Sequence, residues 1–80
     1  MKVRVAITRR PEIADPEGAT VKKALTELGY EEVRAVRFDR SITLDLDEGD
    51  AARARRRAEE MCSRLLVNPV MEDYIVEVEA

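Results

Sequence analysis

Apolar and polar residues alternate from Lys2 to Thr8, with Val3, Val5 and Ile7 on one side and Lys2, Arg4, Ala6 and Thr8 on the other. A period of two predicts a strand with one buried face. Pro11 brings no backbone N–H, so pairing stops in the Arg9–Ala14 connection. Asp15-Pro16-Glu17-Gly18 then reads as a helix start. Asp15 can accept a bond from a free first-turn N–H, and Pro16 suits the first helical position. Val21, Ala24, Leu25 and Leu28 fall on one face at helical spacing, and Gly29 is the natural terminator.

Val33 to Arg40 predicts a second strand of mixed phase, in which a bulge near Ala35 would bring Val33, Ala35, Val36 and Phe38 to the core. Asp39-Arg40-Ser41 reads as a tight reversal. Ile42, Leu44 and Leu46 then alternate with Thr43, Asp45 and Asp47, a third strand expected to form a hairpin with the second. Asp47 to Asp50 caps a second helix, whose stripe is Ala54, Ala58, Met61, Cys62 and Leu65. Charges cover its other faces, with the spaced pairs Arg55–Glu59, Arg56–Glu60 and Glu60–Arg64. Asn68-Pro69 stops that helix. Tyr74, Val76 and Val78 alternate with Ile75, Glu77 and Glu79 in a last strand.

The order β-α-β-β-α-β predicts an α+β, two-layer sandwich: a four-stranded antiparallel sheet with two helices on one face. Neighbouring first and last strands would set Lys2 and Arg4 against Glu77 and Glu79 on the open face, with Ile75 among them. Eighty residues are read as one domain, 1–80. A chain of this size buries roughly 63% of its unfolded surface. So small a core commonly leans on a partner surface, and self-association is expected.

Composition narrows the function. Fourteen basic and 17 acidic residues are interspersed, for a net charge of −3. That balance argues against an electrostatic grip on nucleic acid or an anionic membrane. Arg53, Arg55, Arg56 and Arg57 point around the helix axis and so make no single patch. A lone Cys62 without apolar leader or membrane span leads to the expectation of a cytoplasmic protein. No histidine is present to act as a base, no glycine-rich loop to cradle phosphate, and no Cys/His spacing to hold a metal. Cys62 sits on an apolar stripe and reads as a core residue. Arg37 and Arg40 flank the expected turn and have two readings: hairpin solubility, or a docking contact to a partner or a phosphate-bearing substrate. Glu72 and Asp73 are not needed to fold a strand, so both surface solubility and an interface role stand for them.

Met61-Cys62-x-x-Leu65-Leu66 and Asn68-Pro69-Val70-x-Glu72-Asp73-Tyr74 carry a resemblance to a known family. Asp15-Pro16-x-Gly18, Leu25-x-x-Leu28-Gly29 and Val36-Arg37 match it in order and spacing. The chain resembles the PurS family, the small subunit of phosphoribosylformylglycinamidine synthase in purine biosynthesis. One departure is Asp39-Arg40, where the family often reads Gly-Lys. The resemblance implies a ferredoxin-like layout and a non-catalytic accessory subunit, a homodimer or higher homo-oligomer. Its partners would be a large synthetase subunit (PurL) and a glutaminase subunit (PurQ). ATP and Mg²⁺ would belong to the large subunit, with no cofactor in this chain. Arg37, Arg40, Asn68, Glu72, Asp73, Tyr74 and Ile75 are the expected partner-interface residues. A small-molecule-sensing module of the same layout is the alternative. A stand-alone phosphatase using Arg9-Arg10 is opposed by Pro11 and the missing glycine-rich turn.

Overall fold

Val3, Val5 and Ile7 are almost fully buried, and the fold is arranged around them. They belong to β1 (Lys2–Arg9), the central strand of the sheet. The computed structural model describes residues 1–79. Its other elements are α1 (Pro16–Glu27), β2 (Arg40–Asp45), α2 (Ala51–Met61) and β3 (Glu72–Glu79). A π-helical stretch, Cys62–Leu66, continues α2. Among the described residues the sheet has three strands in the order β2-β1-β3, all antiparallel.

The alternating pattern of the sequence sets both registers. Val5 lies opposite Ile42 on one side and Val76 on the other, so one face is aliphatic. On the open face Lys2 lies opposite Glu79 and Arg4 opposite Glu77, as the sequence predicts. Arg4 also forms an ion pair with Glu79 at 3.2 Å. Ile75 shares that face and is 65% exposed.

Ala54, Ala58 and Cys62 of the second helix lie on the aliphatic face with no exposure at all. Small side chains let the helix approach the sheet closely. Asp50 caps α2 by accepting from the Ala52 N–H at 3.2 Å. The π turn changes the end of the stripe. Val67 N–H bonds the Cys62 carbonyl at 3.1 Å, an i→i+5 closure that widens the turn. Leu65, expected on the buried face, is therefore rotated out to 83% exposure, and Val67 is buried instead. The expected i,i+4 pairs on α2 give way to other partners: Arg57–Glu60 at 3.0 Å, Arg53–Glu48 at 3.6 Å, and Arg55 to the Val76 carbonyl at 2.8 Å.

Two larger expectations are also corrected. The sheet lacks the predicted strand at Val33–Arg40: residues 33–39 join no ladder, and no turn or bend separates them from β2. Residues 33–45 form one extended run, so the chain does not reverse at Asp39-Arg40-Ser41 and cannot pair with itself there. The second correction concerns α1. It starts as expected, with Asp15 capping Gly18 N–H at 3.0 Å and Pro16 in the first turn, and ends before Gly29 at φ 101°. Yet among the described residues it does not pack on the sheet, which α2 and its π-helical end cover. Gly18 is the one buried residue of α1; Leu28 is 73% exposed, and Val21 and Leu25 are half-covered. The result is a long molecule, 49 × 26 × 14 Å.

The outlying part is nonetheless ordered. Asp15 holds it together: one carboxylate oxygen takes Gly18 N–H at 3.0 Å and the other takes Phe38 N–H at 2.7 Å. Gly18 lies so close to the run that a Cβ there would sit 2.1 Å from the Val36 carbonyl oxygen. Helix α1 and residues 36–38 thus form a joined arm.

Candidate partner-binding site

The turn from Asn68 to Met71 begins with an Asn side chain that accepts Val70 N–H at 3.0 Å, the local bond that Asn makes easily. The Asn68 carbonyl accepts Met71 N–H at 3.2 Å and Glu72 N–H at 2.8 Å. Pro69 cannot continue the preceding helix. These bonds leave Val70 74% exposed at the tip.

Two arginines distant along the chain fix this turn. Arg40, at the start of β2, gives Nε to Glu72 Oε2 at 3.1 Å and Nη2 to Glu72 Oε1 at 2.6 Å, and also reaches the Leu66 carbonyl at 3.1 Å. Glu72 Oε1 takes Asn68 N–H at 2.9 Å as well. The planar fork of Arg suits this two-point grip, which a Lys would make at one point. Arg40 and then the Asn68 N–H hold the Glu72 carboxyl below its ordinary range, and Glu72 raises Arg40 in turn. Arg10 approaches from the end of β1. Its N–H bonds Met71 O at 2.8 Å, its Nη2 bonds Pro69 O at 2.8 Å, and its Nε lies 3.3 Å from Asp73 Oδ1.

Of the residues expected from sequence, Arg40, Asn68 and Glu72 form one hydrogen-bonded network. Asp73 and Tyr74 border a cleft of about 360 Å³ beside it, which Cys62, Ser63 and Val67 also line. Arg37 lies elsewhere: it donates to the Arg9 and Arg10 carbonyls at 2.6 and 3.2 Å and ties the arm to the end of β1. Ile75 faces the opposite side of the sheet, paired with Ala6. Sequence reasoning did not single out Arg10 as a clamp on the turn, nor Asp15 as the link to Phe38. Nothing local marks either role, because both depend on contacts far along the chain. Glu72, which the strand does not need in order to form, has a tertiary partner: through Arg40 and the Asn68 N–H its carboxylate links β2, the π turn and the start of β3.

Among the described residues, no group of three or more His, Cys, Asp or Glu side chains is placed to hold a metal ion. Burial pushes the Cys62 thiol up, away from the reactive thiolate. No helix of the described residues is long and apolar enough to cross a membrane. The organised surfaces are an anchored turn, a projecting amphipathic helix and two open sheet edges. They define a small α+β domain of the kind that works as a component of a larger assembly.

Comparison with known proteins identifies the family. The family described as PurS: Phosphoribosylformylglycinamidine (FGAM) synthase matches residues 2–80, and the chain belongs to it. The chain is similar to the phosphoribosylformylglycinamidine synthase subunit PurS of Synechocystis sp., with 40% identity over 77 residues, 96% of this chain and 77% of that protein. The crystal structure of Methanocaldococcus jannaschii PurS superimposes with a TM-score of 0.87 at 36% identity, covering 98% of this chain and 94% of that one. A chain in the structure of PurLQS from Thermotoga maritima gives a TM-score of 0.86 at 32% identity, over 95% and 93% of the two chains.

Proposed function

We propose that this chain is the non-catalytic small subunit of phosphoribosylformylglycinamidine synthase. It joins the large synthetase subunit (PurL) and the glutaminase subunit (PurQ) for glutamine-dependent, ATP-driven conversion of FGAR to FGAM. The observation that carries the proposal is the full-length family match, together with similarity to a chain of PurLQS from Thermotoga maritima. On this reading ATP and Mg²⁺ are handled by the large subunit in the cytoplasm, and this chain supplies surface. Arg40, Asn68 and Glu72 shape the Asn68–Met71 turn for a partner, Asp73 and Tyr74 border it, and Arg37 steadies the arm. Ile75 offers a separate apolar contact on the open face.

Self-association is part of the proposal and is supported by the shape of the chain. Its radius of gyration is 16.2 Å; a compact chain of this length would have about 12 Å. Its accessible surface is 6027 Å², against about 4900 Å² for a compact protein of this mass. The excess, on the order of 1000 Å², is comparable to what one partner buries in a stable interface. A second copy seated along the arm, over Val21, Leu25 and the exposed Leu28 that follows α1, would cover part of it.

The test is reconstitution. Purified large and glutaminase subunits are assayed for glutamine-dependent turnover with and without this chain. Restored turnover on addition is expected; equal turnover without it would remove the proposal.

A further inference from the structure

The outer edge of β3 has a built character that neither the turn nor the arm explains. Arg10 N–H bonds Met71 O at 2.8 Å, one step beyond the Arg9–Glu72 pair. Bonded and non-bonded pairs alternate in an antiparallel ladder. The β1–β3 bonds therefore fall at Asp73, Ile75, Glu77 and Glu79, and the N–H and C=O groups of Glu72, Tyr74, Val76 and Val78 point away from the sheet. Two bonds agree with this phase: Glu72 N–H turns back to Asn68 O at 2.8 Å, and Arg55 Nη1 reaches Val76 O at 2.8 Å. Arg55 is thus a side-chain plug in the middle of an otherwise open edge.

Helix α2 runs beside this edge, and a hollow lies on each side of the plug. Towards Tyr74 is the 360 Å³ cleft with Cys62, Ser63 and Val67. Towards Val78 is a trough of about 550 Å³ with Ala51, Ala52 and Arg56. An added strand would place alternate side chains in these hollows while its backbone bonds the edge.

We propose that the β3 edge receives an extended segment of a partner protein, added antiparallel, with the pattern apolar–basic–acidic–apolar–apolar. Its first and fifth residues, opposite Val78 and Tyr74, fill the two hollows. The third lies opposite Val76, and its acid pairs with Arg55, whose guanidinium sits at Val76 O. The second and fourth lie on the open face opposite Glu77 and Ile75, which call for a base and an apolar residue. A second copy of β3 is a poor occupant: antiparallel pairing centred on Val76 sets Asp73 against Glu79 twice. The proposal does not depend on the synthase reading, since it rests on the edge and its hollows.

The probe is the peptide Ser-Gly-Val-Lys-Glu-Val-Val-Gly-Ser, titrated into the isotope-labelled full chain. Saturable shifts and at least about tenfold slower amide exchange at Tyr74, Val76 and Val78 are expected. The peptide with Lys and Glu exchanged should bind at least about tenfold more weakly. Methylating the peptide's Glu nitrogen, which would bond Val76 O, should abolish binding without touching the protein. Val78→Pro removes an outward N–H and spares the β1 ladder; it should abolish binding while a cooperative melting transition persists. No saturable binding at millimolar peptide, equal binding of the exchanged peptide, or protection at Ser41 and Thr43 instead would overturn the proposal. Protection of the same three amides that rises with protein concentration alone would replace the partner segment by a second copy.

Discussion

Helices α1 and α2 are both amphipathic, yet they meet different fates. Ala54 and Ala58 of α2, with Cys62 just after it, vanish into the sheet, while Val21 and Leu25 of α1 stay half-covered and Leu28 beyond its end is exposed. The difference lies in how each helix is joined to the sheet. Helix α2 is followed by the π turn and the clamped Asn68–Met71 turn, which return the chain to β3 beside β1. Helix α1 is followed by residues 33–45 in one extended run, which carries it away from the sheet. A hydrophobic stripe says that a helix has a face to cover. It does not say which chain covers it.

The sharpest separation comes from charges placed in the two regions. Val5→Asp buries an unpaired carboxylate in the sheet core and should abolish cooperative unfolding, followed by circular dichroism. Leu25→Asp should leave the thermal unfolding of the monomer within about 0.5 kcal/mol. It should weaken self-association by at least about 100-fold, read by sedimentation across a concentration series. If Leu25→Asp unfolds the monomer, α1 belongs to the body after all.

Gly18→Ala tests the joint within the arm. The added Cβ meets the Val36 carbonyl at 2.1 Å, so helix and run must part. A loss of roughly 1–3 kcal/mol is expected, with faster amide exchange at Phe38, whose N–H bonds Asp15.

Glu72→Gln should have the smallest effect, about 1 kcal/mol, because Arg40 is half-exposed and water screens the pair. Its signature is in pH. The Glu72 carboxyl is held below its ordinary value of 4.5, so the contribution is complete above that pH and is lost as pH falls through the lower folded value. The wild-type chain should lose stability in that acid window more steeply than Glu72→Gln. Asp15, lowered from 3.8 by the Phe38 and Gly18 N–H groups, acts in the same direction on the arm. Protection of the Phe38 amide, relative to its intrinsic exchange rate, that stays unchanged down to pH 2 would contradict that role.

Local chemistry was legible wherever one segment decides it. The Asp15-Pro16 helix start, the Gly29 stop, the small stripe of α2 and the alternation of β1 all follow from nearest neighbours. The turn residues Asn68 and Pro69 were readable in the same way. Of the expected interface residues, Arg40 and Glu72 grip each other. They are 32 positions apart, and no periodicity reports such a contact. Leu65 was misplaced because a single i→i+5 bond alters the helical phase that the stripe assumed.

The sequence by itself determined the elements, the apolar face of the sheet, the charge order of its open face and, through the signature around Asn68-Pro69, the family. Tertiary structure decided whether residues 33–45 fold back or run straight, and hence that α1 leaves its own sheet. The physical reason is that strand alternation fixes which side chains share a face and is silent about which backbone lies alongside. A strand that could pair within the chain or with another chain has the same pattern in either case.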